Sequence, residues 1–347
     1  PSTPLQLIPL ETDPPLHTQI RRKLNPIFTE RMAGLWSDFV RQATDALLDE
    51  HIESGQIDLN DVVRRLTATV NLALVGLTAG AGEIDRFITA PGIVARERPD
   101  SPAYRDAVAA TEEMARSMLE IIDDRRRAPR DDVATVCAHL TLDEDDPEAN
   151  DRLLVRLLQN LVAGGNTTTT SLIGHALFWL SEHPEERDRL AAQPERIEAA
   201  IEEFVRFFSP AHTVGRSTSS DTEVAGQEIR QGERVVVCFA AANRDARAFD
   251  DPDEVDLERE GKPHLAFGYG RHRCLGRAFA RMTAEVVLKR LLERIPDFRV
   301  DPDGVEVYSD ISVVAGIVKL PAIFTPGPAL GAVMPTECPP LPDKVRV

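Results

Sequence analysis

The sequence predicts a mainly α-helical protein with a small β part. Apolar residues recur at helical spacing through long segments, whereas short β-like runs with glycine turns occupy residues 213–238 and the stretch before residue 324. Of the 347 residues, 42% are hydrophobic and 28% are charged, which is the composition of a globular protein with a sizeable core.

Charge and hydropathy exclude several classes of partner. The formal net charge is −17, and a general nucleic-acid-binding protein needs a basic face for phosphate contacts. No run approaches the roughly 20 apolar residues of a membrane span, and no secretory signal is present. Four cysteines do not form a disulfide framework, so we expect a reducing, cytoplasmic location.

Apolar periodicity and helix-start signals place the helices. Ser101, as an N-cap followed by Pro102, indicates a helix start. Glycines predict a loop over 76–92, and residues 240–273 are also expected to be mostly loop. The predicted helices are 17–24, 31–53, 60–77, 102–127, 149–182, 194–208 and 274–294. The last segment, 325–347, contains six prolines and is interpreted as an extended or mobile extension of a single domain, 1–324.

The longest predicted helix contains an unusual run of residues in its middle. Residues 164–170 read Gly-Gly-Asn-Thr-Thr-Thr-Thr, and glycine and threonine are weak helix formers. The two glycines alone cost about 1.5–2 kcal/mol relative to alanine. Such a run in a long helix indicates a functional or close-packing requirement.

Cys274 lies in a glycine-rich loop at the predicted start of a helix. The helix N-terminus and the neighbouring Arg271 and Arg273 lower the pKa of a thiol and favour the thiolate. A single thiolate with no second cysteine nearby argues against structural zinc, which takes four ligands. It suits a haem iron, which takes one protein thiolate. A buried structural cysteine or a catalytic nucleophile are the alternatives.

The window Phe267–Gly276 has the pattern Phe-x-x-Gly-x-His-x-Cys-x-Gly and resembles the haem-binding loop of the cytochrome P450 superfamily. The resemblance implies the P450 fold, with haem b (iron protoporphyrin IX) between the long central helix and the cysteine loop. It implies that Cys274 ligates the iron and that Phe267, His272 and Gly276 contact the cofactor.

Three further segments are similar to the same family in the same order. Glu203 and Arg206 match its Glu-x-x-Arg helix, which in the family joins an arginine of a later loop, here Arg259, in a structural triad. Alone, Glu-x-x-Arg is a common surface pair. Residues 13–22 resemble the family segment in which His17 and Arg21 would bind a haem propionate. Arg216 and His272 match two other propionate donors; the alternative for each is a solvated basic residue.

The run after Ala163 resembles the oxygen-binding turn of the family's central helix. The family pattern, (Ala/Gly)-Gly-x-(Asp/Glu)-Thr, widens the helix for dioxygen and supplies a threonine hydroxyl. One register puts Asn166 at the acid position and Thr167 at the alcohol. The other starts at Gly164, as part of the cofactor site, and puts Thr167 at the acid position and Thr168 at the alcohol.

The second register is favoured because Pro184 follows Thr168 by sixteen residues, as the family's helix end predicts. In both registers the acid is absent, so we expect proton delivery to depart from the family's usual route.

By resemblance the protein is a bacterial-type haem-thiolate monooxygenase. It would insert one atom of O₂ into a small organic substrate with electrons from a ferredoxin and its reductase. Basic residues expected on the proximal face would attract an acidic donor: Arg21, Arg22, Lys23, Arg271, Arg273 and Arg277. The alternatives are a haem-thiolate enzyme that uses peroxide or another oxidant, and a non-catalytic, truncated haem-binding protein.

The resemblance covers residues 5–324. Only about a dozen residues precede Asp13, where the family has a helix, most of a small sheet and a capping segment. We therefore expect an N-terminally truncated domain with apolar surface exposed near the cofactor.

Overall fold

The computed structural model describes residues 7–77, 97–259, 261, 263–308 and 313–341, together with residues 90 and 94. Within these residues the protein is mainly α-helical with four small sheets, as predicted. The helices are α1 (Leu16–Leu24), α2 (Glu30–Leu35), α3 (Ser37–Asp49), α4 (Leu59–Leu74), α5 (Pro102–Arg127), α6 (Val133–Ala138), α7 (Pro147–Glu182), α8 (Pro184–Ala192), α9 (Ile197–Phe208), α10 (Phe239–Ala242) and α11 (Arg277–Arg294).

Capping side chains fix the starts of the two longest helices. Ser101 accepts a hydrogen bond from the Tyr104 backbone N–H and Pro102 occupies the first turn of α5, as the sequence predicted. Asp146 caps α7 in the same way by accepting from the N–H groups of Glu148 and Ala149. The cap at Asp146 starts α7 two residues earlier than its apolar pattern indicated.

The predicted helix 31–53 is wrong in one respect, because the chain forms two helices there. The break falls at Trp36, whose side chain is 3% exposed. Its ring packs 5.1 Å from the ring of Phe39 and 6.2 Å from that of Phe279 on α11. Helix α3 then ends at Asp49, before the turn that Gly55 completes with a φ of 68°.

Helices α9 and α11 each begin three residues later than predicted. A short 3₁₀ turn (Pro194–Arg196) precedes α9, and α11 begins at Arg277 instead of Cys274. The loop predicted over 76–92 lies almost entirely outside the described residues. The segment predicted as loop after residue 240 contains the end of the short helix α10.

The strands are β1 (Gln56–Asp58), β2 (Thr213–Ser217), β3 (Thr222–Val224), β4 (Gln227–Ile229), β5 (Arg234–Cys238), β6 (Arg299–Val300), β7 (Glu306–Val307), β8 (Ile317–Lys319) and β9 (Pro321–Ile323). All the pairs are antiparallel: β1–β9–β6 form one sheet, and β2–β5, β3–β4 and β7–β8 form pairs. The turns at Gly226 and Gly232 have φ values of 80° and 84°, as the glycines predicted. Val236 on β5 is 67% exposed, so this pair carries apolar surface.

Part of the weak helix-forming run of α7 faces α4. Thr67 of α4 donates to Asn166 Oδ1 over 2.7 Å, and its hydroxyl lies 2.8 Å from that of Thr170. A Cβ on Gly165 would overlap the side chain of Asn71. The run in the middle of α7 is therefore partly a packing device, because small and polar side chains allow α4 to approach closely and to hydrogen-bond there.

The last described segment, 325–341, contains neither helix nor strand and lies against the helical part. The Gly327 N–H donates to the Ile52 carbonyl over 3.0 Å, and the Ala332 N–H donates to Asp49 Oδ2 over 2.9 Å. Leu341 is 5% exposed. Residues 325–341 are therefore anchored to the helical part by these contacts.

Candidate active site

The loop before α11 is closed around Cys274. Gly268 and Gly270 adopt φ values of 68° and 72°, which favour glycine, and the Cys274 N–H donates to the Phe267 carbonyl over 2.8 Å. The sulfur accepts a hydrogen bond from the Gly276 backbone N–H. The predicted loop therefore leaves one thiol at the start of α11 with a backbone donor directed at it.

Two opposing effects act on the pKa of the Cys274 thiol. Burial raises its pKa, whereas the Gly276 N–H and the positive charges of Arg21, Arg277 and Arg281 lower it. Burial prevails, so the pKa of this thiol is raised, whereas the sequence predicted that it would be lowered. A metal cation deprotonates a coordinating thiol.

The predicted propionate donors form one basic cluster. The rings of His17 and His272 lie 4.3 Å apart between centroids, and an Arg21 N–H donates to the Arg273 carbonyl over 2.9 Å. Burial and then the charge of Arg216 lower the pKa of His272. Helix α1, strand β2 and the cysteine loop thus contribute basic side chains to one place, where Arg216 is exposed.

His17 has an unsatisfied polar atom inside this cluster. Its side chain is buried, and its Nε2 has no hydrogen-bond partner. Burial, then the charges of His272 and Arg21, lower the pKa of His17. A bound carboxylate would accept from Nε2 and offset the repulsion between these basic groups, so the cluster suits an anionic group.

Gly164, Thr167 and Thr168 lie in the middle of α7. Nothing lies within 4 Å of the position where a Cβ on Gly164 would stand, and Gly164 is exposed. The Thr168 hydroxyl donates to the Gly164 carbonyl over 3.0 Å. Asn166 is instead 2% exposed and bonded to Thr67. Thr168 and Gly164 therefore border open space, whereas the Asn166 side chain is packed against α4 and hydrogen-bonded there.

Glu203, Arg206 and Arg259 meet in a buried cluster. Arg206 donates twice to Glu203, over 2.7 and 2.8 Å, and Arg259 Nε lies 3.1 Å from Glu203 Oε1. Glu203 and Arg206 are 4% and 2% exposed. Arg206 also donates to the carbonyls of Asn243, Pro252 and Glu254 over 2.8–2.9 Å. The three residues brought together by the fold tie α9 to the loop that precedes Cys274.

Sequence reasoning missed Asn243, which extends this cluster towards the cysteine loop. Asn243 is fully buried, donates to Ser209 Oγ over 2.7 Å, and accepts from the Leu265 N–H over 2.6 Å. It links the end of α9 with the residues just before Phe267. A single asparagine in a loop has no periodic signal, so nothing in the sequence distinguishes it.

The described residues accept a haem on three counts. One thiol has a backbone donor and nearby arginines, one basic cluster includes a buried unpaired nitrogen, and α7 leaves open space at Gly164. Within the described ranges, no group of three or more His, Cys, Asp or Glu side chains is arranged to hold a bare metal ion. Nor does any helix of these ranges have the length and hydropathy to span a membrane.

Comparison with known proteins decides the family. The sequence model described as "Cytochrome P450" matches residues 99–322, which is more than half of the chain. The chain belongs to the cytochrome P450 family. It is therefore a haem-dependent monooxygenase, an oxidoreductase; P450 monooxygenases work with a redox partner, an organic substrate and O₂.

Bacterial relatives and solved P450 structures are similar over most of the chain. Cytochrome P450 107B1 of Saccharopolyspora erythraea is 34% identical over 316 residues, covering 90% of this chain and 76% of that protein. The 6-deoxyerythronolide B hydroxylase of the same organism is 32% identical over 314 residues, covering 89% and 76%. A mutant of P450 EryK in complex with erythromycin B has a TM-score of 0.81 and 30% identity, covering 93% and 83%.

The acid of the buried cluster provides a test of the site. We expect Glu203→Ala to give little soluble P450 with haem bound, because removing one partner of a buried ion pair costs about 3–5 kcal/mol. Glu198→Ala, at an exposed position of the same helix, should leave the yield unchanged. Soluble yield and the haem content per chain measure the effect. Wild-type yield and haem content for Glu203→Ala would contradict the role assigned to the cluster.

Proposed function

We propose that this P450 inserts one oxygen atom from O₂ into a small organic molecule, with electrons from a ferredoxin and its reductase. The observation that carries the proposal is the closed cysteine loop, in which one thiol meets a backbone donor and three arginines. When bound, the haem iron supplies the oxygen chemistry. Cys274 is the proposed ligand of that iron.

The other residues of the site hold the cofactor. His17, Arg21, Arg216 and His272 would bind the haem propionates; the unpaired Nε2 of His17 supports this assignment. In the favoured register Gly164 would leave room for the cofactor, because nothing lies within 4 Å of the position of a Cβ there. Phe267 and Gly276 would contact it from the loop. Glu203, Arg206 and Arg259 act at a distance by fixing that loop.

Thr168 is the proposed hydroxyl on the oxygen side of the site. Its hydrogen bond to the Gly164 carbonyl holds the hydroxyl beside the open space at that glycine, which supports the register that starts at Gly164. Thr167 then stands where the family pattern has an acid. A threonine hydroxyl passes a hydrogen bond, but it has no pKa near neutrality with which to deliver a proton.

An acidic ferredoxin is the proposed donor because the surface beside the cysteine loop is basic. The hydrogen bond from Arg21 to the Arg273 carbonyl brings α1 against the loop. Arg22, Lys23, Arg271 and Arg273 are all exposed there. A local basic patch steers an acidic partner even when the net charge of the protein is −17.

We also propose a reducing, cytoplasmic location, because all four cysteines are free.

The iron ligand is tested by spectroscopy. We expect Cys274→Ser to abolish the thiolate-type spectrum of the reduced, CO-bound protein, because an alcohol does not provide the anionic sulfur that gives that spectrum. Cys238→Ser, which changes an exposed cysteine of β5, is the control and should keep it. An unchanged spectrum in Cys274→Ser would overturn the assignment.

The missing acid favours one second candidate, an enzyme that takes hydrogen peroxide, which already carries its protons.

The role of position 167 is tested by supplying the acid. Thr167→Asp introduces a carboxylate, and we expect it to increase the product formed per NADPH and to decrease peroxide release with a ferredoxin donor. Thr167→Val is the matched control without a proton donor. Full coupling in wild type that Thr167→Val leaves unchanged would contradict a role for this position.

A further inference from the structure

Helix α9 presents two adjacent carboxylates to different neighbours. Glu203 enters the buried cluster with Arg206, whereas Glu202 faces α11. There Arg281 donates to Glu202 through two nitrogens, over 2.6 and 2.7 Å. His264 Nε2 lies 3.2 Å from the same carboxylate. A planar guanidinium bound at two points has a fixed orientation, so Glu202 determines where the charge of Arg281 stands.

The fixed guanidinium lies against the cysteine loop. The Arg281 Cζ atom lies 4.8 Å from the centroid of the Phe267 ring, a cation–π arrangement. Phe267 in turn accepts the Cys274 N–H through its carbonyl over 2.8 Å. Contacts therefore run without a gap from Glu202 through Arg281 and Phe267 to the backbone of the proposed iron ligand.

The charge of Arg281 stands beside the cysteine loop, against the ring of Phe267. A two-point contact with a carboxylate holds it there. Although burial raises the pKa of Glu202, hydrogen bonds from His264 and Arg281 keep it at about 2, so the pair stays ionised at neutral pH.

We propose that Glu202 is a positioning residue that acts through Arg281 and sets the reduction potential of the haem iron. This inference rests on the proposed function, in which Cys274 is the iron ligand. A positive charge beside a thiolate stabilises the reduced, more electron-rich iron and raises its reduction potential. Groups outside the ligand set commonly tune metal sites in this way. Glu202 keeps this charge in place against Phe267.

The sign of the shift separates positioning from direct electrostatics. Glu202→Gln removes a negative charge, which by itself would raise the potential. If Glu202 holds Arg281, the same change releases the guanidinium to solvent, because the Arg281 side chain is already 30% exposed, and the potential falls. Arg281→Gln should lower the potential further. Arg281→Lys keeps a positive charge, so its potential should fall less than that of Arg281→Gln.

The experiment measures the reduction potential of the haem-loaded protein by spectroelectrochemistry. We expect a fall in Glu202→Gln, a larger fall in Arg281→Gln, and no additional fall in the double variant. Glu285→Gln is the matched control, because Glu285 lies on α11 but pairs with Lys289 over 2.5 Å. The reduction potential of this variant should equal that of wild type.

A rise or no change in Glu202→Gln would overturn the inference, as would additive falls in the double variant. If the Gln variants do not retain haem, Glu202→Asp and Arg281→Lys replace them. Both keep the charge but weaken the two-point contact, so both should lower the potential. The reduced, CO-bound spectrum of wild type is recorded first. Absence of the thiolate band there refutes the proposed function, whereas a normal band with unmoved potentials refutes only the role of Glu202.

Discussion

The buried carboxylate of Glu203 is the constraint on which the site depends. It neutralises Arg206 and Arg259, and it also accepts the Asp256 N–H over 2.9 Å. Arg206 can then donate to backbone carbonyls of the irregular segment 243–254, which has little regular structure of its own to hold it. An irregular loop with buried polar groups needs such partners, since each unpaired group would cost about 1–3 kcal/mol.

This constraint reaches the cysteine loop by two routes. Asn243, whose carbonyl Arg206 binds, accepts the Leu265 N–H with its side chain. Glu202, the neighbour of Glu203, binds Arg281, which packs on the Phe267 ring of the same loop. One helix, α9, therefore positions both the segment before Phe267 and the guanidinium of Arg281. These contacts hold the cysteine loop in one conformation, although its glycines would allow many.

The sequence predicted the parts of this arrangement that depend on local spacing. The cysteine loop, the pair Glu203 and Arg206, and the helical architecture follow from short motifs and apolar periodicity. The break at Trp36 did not: Trp36 is buried near Phe279 of α11, a tertiary contact that local sequence does not reveal. The polar run in α7 was recognised as unusual, yet its packing against Asn71 and Thr67 required the position of α4.

The side chains that connect the motifs were also beyond the sequence. Asn243 and Arg281 contact partners tens of residues away, and no periodic pattern marks such pairs. The partner of such a residue is set by the fold as a whole and not by local spacing.

Hydrogen–deuterium exchange of the haem-loaded Arg259→Gln variant tests the central claim most directly. This change weakens the cluster at its more exposed edge, where the Arg259 side chain is 10% exposed, and leaves Glu203 and Arg206 paired. The account predicts faster exchange in segment 243–274, with unchanged protection in α4 and α7. Wild-type protection throughout 243–274, or an equal loss of protection in all helices, would contradict it.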